Sequence, residues 1–259
     1  MKKITYIYKK IIFNFKKKID IDEKNLENRN LDELFTYFGT DKADNVKNQY
    51  QKNSNINIGH GYSKFYEKHF EIFSEKKFNL LEIGTWQGSS CAAFAKYFKN
   101  AEIFGIDRNF KFKYKSKKIK FIHCDLRSKN DLDKLENEIK DKKFKIIIDD
   151  GSHILSHLIK NLFFFIKYLE KGGYFVVEDF NFPKFYDHLN DSKNEELFFD
   201  EILEHINQKK YFSSKLLSND MQSFIFDNIQ NIYIYKGKEK NSDIAFLKKN
   251  EKWRLRNYF

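Results

Sequence analysis

From Asn79 onward short apolar runs alternate with helix-length stretches, and this alternation constrains the fold more than anything else in the chain. Runs at 79–83, 101–106, 119–124, 144–148 and 173–177 read as strands, with helical stretches at 89–98, 132–140 and 155–169. Strands separated by helices pair in parallel, because the crossover returns the chain to the same end of the sheet. The expected class is α/β: a doubly wound, Rossmann-like, seven-stranded, mostly parallel sheet. A further helix at 195–208 and apolar runs at 212–217, 221–226 and 232–235 follow. The last two runs flank Asp227-Asn-Ile-Gln-Asn231 and predict an antiparallel closing hairpin.

Two of the strands end in adjacent carboxylates: Lys145-Ile-Ile-Ile-Asp-Asp-Gly-Ser-His153 and Tyr174-Phe-Val-Val-Glu-Asp179. Ionised groups at the end of a buried strand need partners or a metal. The carboxyl ends of the strands are also where open parallel α/β sheets bind ligands. Asp149, Asp150, Glu178 and Asp179, with His153 beside them, therefore read as the floor of a site able to hold an oxygen-liganded cation.

The first strand leads into Leu80-Leu-Glu-Ile-Gly-Thr-Trp-Gln-Gly-Ser-Ser90. Gly84 stands at the turn and Gly88 at the start of the helix, where the backbone can approach a ligand and helical N–H donors are unpaired. Asp107 ends the second strand where an acid commonly holds two ribose hydroxyls. Asp125 ends the third and could meet an adenine amino group. Trp86 replaces the middle glycine of a dinucleotide loop, which leaves little room for a pyrophosphate. Glu82 would repel a pyrophosphate and suit an amino-bearing ligand. A small adenosine cofactor is expected rather than a nicotinamide dinucleotide.

Composition sets wider bounds. With 41% hydrophobic residues and 29 Phe in 259 residues, there is ample material for one domain with appendages. The net charge of +11 favours anionic partners, although lysine spread over a solvated surface accounts for most of it. Cys91 and Cys124 form no CxxC pair, so neither a disulfide framework nor a structural zinc is expected, and a reducing compartment fits. The apolar stretch near the start is broken by Lys9 and Lys10, too short for a signal core and far from a membrane span. A helix docked on the domain, or a frayed extension, is expected there. The aromatics and lysines of 1–20 also suit weak association with an anionic membrane surface.

Together, Leu81-Glu-Ile-Gly84 with Gly88, Gly105-Ile-Asp107, Asp149-Asp-Gly-Ser-His153, Gly172-Gly173 and Glu178-Asp179 resemble a class I S-adenosylmethionine-dependent methyltransferase. More narrowly, they resemble the metal-dependent sugar O-methyltransferases of the mycinamicin and macrocin type. Gly39-Thr-Asp-Lys42, His60, Tyr62 and Tyr66 look like that group's lead-in, and the resemblance covers roughly 36–236. It implies S-adenosyl-L-methionine as cofactor and Mg²⁺ or another hard divalent cation held by Asp150, Glu178 and Asp179. His153 would be the general base, with Asp150 beside it in the catalysis. Glu82, Gly84, Thr85, Gly88, Asp107, Arg108, Asp125, Asp149 and Lys42 would contact the cofactor. His60 and Tyr62 would form a lid with Lys42, and Phe180, standing where relatives often have an aliphatic residue, would shape the acceptor pocket.

The chemistry these residues imply is coherent. A sugar hydroxyl is a poor nucleophile at neutral pH; a hard cation lowers its pKa, and a histidine takes the proton. The expected enzyme is an O-methyltransferase acting on a nucleotide sugar or surface-polysaccharide unit, the positive charge suiting a diphosphate-bearing acceptor. Two alternatives stay open: an RNA ribose or other small-molecule hydroxyl methyltransferase, and a non-catalytic adenosine-binding subunit. Base-amine methylation of nucleic acid is not expected, because the sole proline, Pro183, lies outside the position such enzymes use. The expected divisions are a basic extension with a lid and helical region at 1–75, a catalytic domain at 76–236 and a charged tail at 237–259. A cytoplasmic bacterial homo-oligomer is expected.

Overall fold

The computed structural model describes residues 2–46, 58–192 and 195–251; the expectations for 47–57 and 252–259 lie outside these. In chain order the elements are α1 (Lys2–Phe15), β1 (Ile19–Asp20), α2 (Leu31–Phe38), α3 (Ser63–Phe70), β2 (Lys77–Ile83), α4 (Ser89–Tyr97), β3 (Asn100–Asp107), β4 (Tyr114–Lys115) and β5 (Ile119–His123). They continue with α5 (Lys129–Ile139), β6 (Phe144–Asp149), α6 (Leu155–Ile166), β7 (Leu169–Glu178), α7 (Phe182–Phe185), α8 (Phe199–Gln208), α9 (Asn219–Asn228), β8 (Ile229–Lys236) and β9 (Asp243–Lys249).

The main sheet has seven strands in the order β5-β3-β2-β6-β7-β9-β8. The first five are parallel, and β9 runs antiparallel to both β7 and β8. This is the Rossmann-like architecture expected. Alternate side chains along each strand supply opposite faces. Leu80, Ile146, Ile148, Val176 and Phe246 pack under α2, α3 and α4, while Leu81, Ile147, Phe175 and Val177 pack under α6, α8 and α9. The winding reverses at β2, since the chain proceeds to β3 and β5 on one side and to β6 and β7 on the other. That reversal opens a crevice at the carboxyl ends of β2 and β6.

Helices α2 and α3 are part of the core rather than an appendage. Asn30 caps α2 in a reciprocal capping box with Glu33, and Gly39 ends it in the left-handed conformation. Phe35, Tyr66 and Phe94 are completely buried, and their rings meet edge to face at 5.3–6.1 Å. Each such ring contributes roughly 1.5–3 kcal/mol by leaving water. α1 docks more lightly, through Tyr6 on Phe110 and His123 and through Phe13 on Phe110 and Phe121.

Three expectations fail at the C-terminal end. Residues 221–226 belong to helix α9, not to a strand: Ser218 caps it, and Met221, Phe224 and Ile225 repeat at helical spacing. The 212–217 run is irregular because the buried Gln222 amide bonds the backbone of Phe212 and Leu217 in place of a neighbouring strand. The closing hairpin exists, but it joins β8 to β9, so the boundary at 236 cuts through it. The tail is consequently not peripheral over 243–249: Ile244, Ala245, Phe246 and Leu247 are completely buried between β7 and β8. Flanking lysines and acids conceal that four-residue apolar run in the sequence.

Among the described residues no helix is long and apolar enough to cross a membrane.

Candidate active site

The carboxyl ends of β2, β3, β6 and β7 converge on a cleft of about 1120 Å³. Its floor begins at the turn after β2. Gly84 has φ +88°, and a Cβ there would lie 2.0 Å from the Asp150 carbonyl oxygen, so only glycine lets the two strand ends close on each other. Gly88 has φ +82° and would drive a side chain into the Phe112 ring. Trp86, His153 and Asp179 also have positive φ without being glycine, and all three stand in the turns around the cleft. Strain of this kind persists where surrounding structure over-determines the backbone, commonly at functional sites.

On the β2–β3 side, Asp107 accepts from the backbone N–H of Trp86 at 2.8 Å and of Asn109 at 2.6 Å. Both oxygens are thereby oriented while lone pairs remain for a ligand. Glu82 is completely buried, and its Oε2 accepts from Ser90 Oγ at 2.7 Å and Cys91 Sγ at 3.0 Å. Its Oε1 makes no hydrogen bond and lies 3.9 Å from Lys42 Nζ. Burial pushes its pKa up, and Lys42 opposes this. Asp149 is also buried, bonded to Asn161 at 2.9 Å and raised to about 7, chiefly by desolvation. Thr85 and Arg108 line the cleft. Asp125 lines it too, but Arg127 forks onto both its oxygens at 2.8 and 2.6 Å and holds its pKa near 2.

On the β6–β7 side lies a buried polar cluster. Lys42 Nζ donates to Asp150 Oδ2 at 2.5 Å and Glu178 Oε2 at 2.7 Å. Tyr66 donates to the other Glu178 oxygen, and the Tyr62 hydroxyl meets Asp179. Burial pushes both Glu178 and Asp179 upward. His153 Nδ1 lies 3.3 Å from the Glu178 carbonyl oxygen, and its Nε2 lies 3.5 Å from Asp150 Oδ1. A carbonyl can only accept, so a bond there places the proton on Nδ1 and leaves the Nε2 lone pair exposed. Burial lowers the His153 pKa, which keeps the ring neutral near pH 7, while the adjacent Asp150 opposes the shift.

Asp150, His153 and Asp179 each offer a ligand atom, and these atoms lie within 4.8 Å of one another. This trio is only partly the expected one. Glu178 is turned toward Lys42 and Tyr66 and stays outside the group. Both Glu178 oxygens are taken, by Lys42 and by Tyr66, whereas Asp150 gives Lys42 only Oδ2 and keeps Oδ1 beside His153.

Other placements differ as well. Lys42 is 1% exposed and acts as a counter-ion behind the carboxylates, neither lining the cofactor side nor forming a lid. Tyr62 is likewise fully buried and braces Asp179; only His60, stacked on it at 5.2 Å and 3.6 Å from Asp179, reaches the cleft. Phe180 is 1% exposed and packs on Phe199 in the core, just past the end of β7, where the positive φ of Asp179 breaks the strand alternation. Phe182, Tyr186 and His188 occupy the acceptor side instead. The aromatic cluster 182–188 was the available signal for them. Asp243, whose carbonyl accepts from Asp179 N at 2.7 Å, was hidden in the presumed tail.

A glycine turn at the switch point after β2, a carboxylate ending β3 and an acidic pair at the end of β6 define a Rossmann-like methyltransferase. The chain belongs to the FtsJ-like methyltransferase family, which it matches over residues 63–203. It is similar to the mycinamicin VI 2''-O-methyltransferase of Micromonospora griseorubida, 28% identical over 127 residues that make up 46% of this chain and 31% of that protein. It is also similar to the 8-demethyl-8-alpha-L-rhamnosyl tetracenomycin-C 2'-O-methyltransferase of Streptomyces olivaceus, at 29% identity over 46% of this chain and 33% of that protein. Among solved structures, the MycE methyltransferase from the mycinamycin biosynthetic pathway, in complex with Mg and SAH, superposes with a TM-score of 0.65. It is 22% identical, and the match covers 86% of this chain and 55% of that one, so the likeness is one of fold. The match spans about a third of the curated relatives' length.

Proposed function

We propose that this cleft transfers a methyl group from S-adenosylmethionine to a hydroxyl of a sugar, with a divalent cation in attendance. The observation that carries the reading is the convergence of Asp150, His153 and Asp179 at the ends of adjacent strands, beside the glycine turn that closes on Asp150. The names of the similar O-methyltransferases, and the Mg and SAH of the similar structure, support it.

The donor chemistry fits a hard cation. Two carboxylates, Asp150 and Asp179, offer oxygen ligands. Asp150 and Asp179 would hold the ion, which when bound polarises the acceptor oxygen and favours its deprotonation. The remaining work falls to the chain. His153 takes the hydroxyl proton at Nε2, its tautomer set by the Glu178 carbonyl. Glu82 and Asp149 offer carboxylates to the cationic amino-acid portion of the donor, and Asp107 to its ribose. Phe182 and Tyr186 line the acceptor side, where their rings would pack on the sugar.

Arg108, Lys129 and Lys160 give the cleft a basic rim, which supports a phosphorylated acceptor such as a nucleotide sugar. The test is incubation with methyl-labelled donor and a panel of nucleotide sugars and glycans, with and without chelator. Label in a sugar that depends on divalent metal supports the reading. Donor binding without transfer to any sugar, together with salt-sensitive transfer to RNA, overturns it.

A further inference from the structure

Helix α1 presents two apolar sides, and only one of them is covered. Tyr6 and Phe13 lie on the same side and rest on Phe110, Phe121 and His123. At 3.6 residues per turn, Ile7, Ile11, Phe15, Tyr8 and Ile12 span an arc of about 140° directly opposite. All five are exposed, Phe15 to 86% and Tyr8 to 63%. Leaving such a face in water is costly, so a covering partner is implied.

The surrounding charge specifies the partner. Residues 1–19 contain seven lysines and no acid. Lys9 and Lys16 fall on one shoulder of the outward face and Lys10 on the other, all exposed. The first acids in the sequence are engaged elsewhere: Asp20 pairs with Lys115 at 2.9 Å, and Asp22 accepts from Ser116 Oγ at 2.6 Å. An apolar face flanked by lysines matches a bilayer carrying anionic headgroups, with rings and isoleucines below the headgroup level and ammonium groups among the phosphates. A second copy seated face to face would set these lysine shoulders against each other.

We propose that α1 seats the protein on an anionic phospholipid surface through Ile7, Ile11, Ile12 and Phe15. Docking by Tyr6 and Phe13 fixes the helix on the domain while the opposite face stays exposed. The anchor also has a position relative to the cleft. Tyr6 contacts Phe110 and His123, and His123 Nε2 lies 2.9 Å from the carbonyl oxygen of Arg108, which lines the cleft. The helix therefore sits beside one lip of that cleft. The inference concerns lipid alone and holds whether or not methyl transfer is the reaction.

The experiment is flotation of the full chain with vesicles of phosphatidylcholine, with or without phosphatidylglycerol. Binding is expected to the anionic vesicles, falling as salt is raised. The double variant Ile11→Asp, Phe15→Asp should lose about tenfold or more in partitioning, with a thermal melt close to that of the native chain because both side chains are exposed. Lys9→Glu, Lys10→Glu should weaken binding to anionic vesicles alone. Failure of the native chain to float with anionic vesicles at low salt overturns the proposal, as does equal binding by the aspartate variant. A native dimer that the aspartate variant splits, without any lipid binding, would assign the face to a second copy and overturn it equally.

Discussion

Lys42 Nζ stands 2.5 Å from Asp150 and 2.7 Å from Glu178, joining a lead-in loop to the ends of two strands more than a hundred residues away. The ammonium is 1% exposed and Glu178 2%. Neither charge is tolerable there without the other, so the pair couples folding of the lead-in to assembly of the site. Lys42→Met removes the cation and leaves a buried carboxylate uncompensated, which costs about 3–5 kcal/mol. Urea denaturation at neutral pH checks it. A loss below about 1 kcal/mol would show that water reaches Glu178 and that the pair is not structural.

His153 is positioned to accept a proton rather than to hold the fold. Its Nδ1 faces a carbonyl, and its Nε2 faces Asp150 toward the cleft. His153→Ala should lower turnover by roughly 10²–10⁴-fold while donor affinity, measured by calorimetry, stays within a factor of about 2–3. Loss of metal binding in the same variant would make His153 a ligand and remove its assignment as base.

Asp150 and Asp179 are the carboxylates whose oxygens gather with His153 at the cleft. Treatment with chelator should abolish transfer, and Mg²⁺ should restore it. Asp179→Asn should raise the Mg²⁺ concentration needed for half-maximal rate by about tenfold or more, since a neutral ligand replaces a charged one. Full activity in chelator would remove the metal from the reaction.

Asp107 is held by two backbone N–H groups with lone pairs facing the cleft. Asp107→Ala should weaken S-adenosylmethionine binding by about 1.5–3 kcal/mol, roughly ten- to a hundredfold, as loss of a hydrogen bond to a charged group does. Asp107→Asn, which keeps an acceptor, should lose less. Unchanged affinity in the alanine variant would move the ribose contact elsewhere.

Strand ends were legible because their signals are local. An apolar run broken by Asp149-Asp150 or Glu178-Asp179 announces both the strand and the site, and Gly84 announces the turn. Side-chain partnership was less legible, since it depends on which buried cation lies nearest. Nothing near Glu178 in sequence says that its side chain will meet Lys42 and Tyr66. The hairpin was misplaced for a related reason. Phe224-Ile-Phe226 has strand-like residues, but the Ser218 cap and the Gln222 amide commit it to a helix, while β9 hides a short apolar run between lysines. Burial of Phe180 was not legible either, because the left-handed Asp179 breaks the alternation of β7 and turns Phe180 onto the face of Val177.

His69 offers a test of the fold away from the cleft. It is 8% exposed, stacked on Phe246 at 4.4 Å, with its Nε2 2.9 Å from the Tyr235 hydroxyl. Burial first, and Lys68 second, lower its pKa from 6.5 to about 4. The folded state therefore binds a proton less readily than the unfolded chain. Its contribution is fully present above pH 6.5 and is lost as pH falls through about 4. At 1.36 kcal/mol per unit, the loss across that window is at most about 3 kcal/mol. His69→Phe keeps a ring against Phe246 and removes the titration. Stability of the native chain should fall more steeply between pH 7 and pH 4.5 than that of the variant, by roughly 2 kcal/mol, in denaturant titrations at the two values. Parallel losses in the two proteins would mean that the His69 ring is hydrated, and that the aromatic wall between α3 and β9 opens in solution.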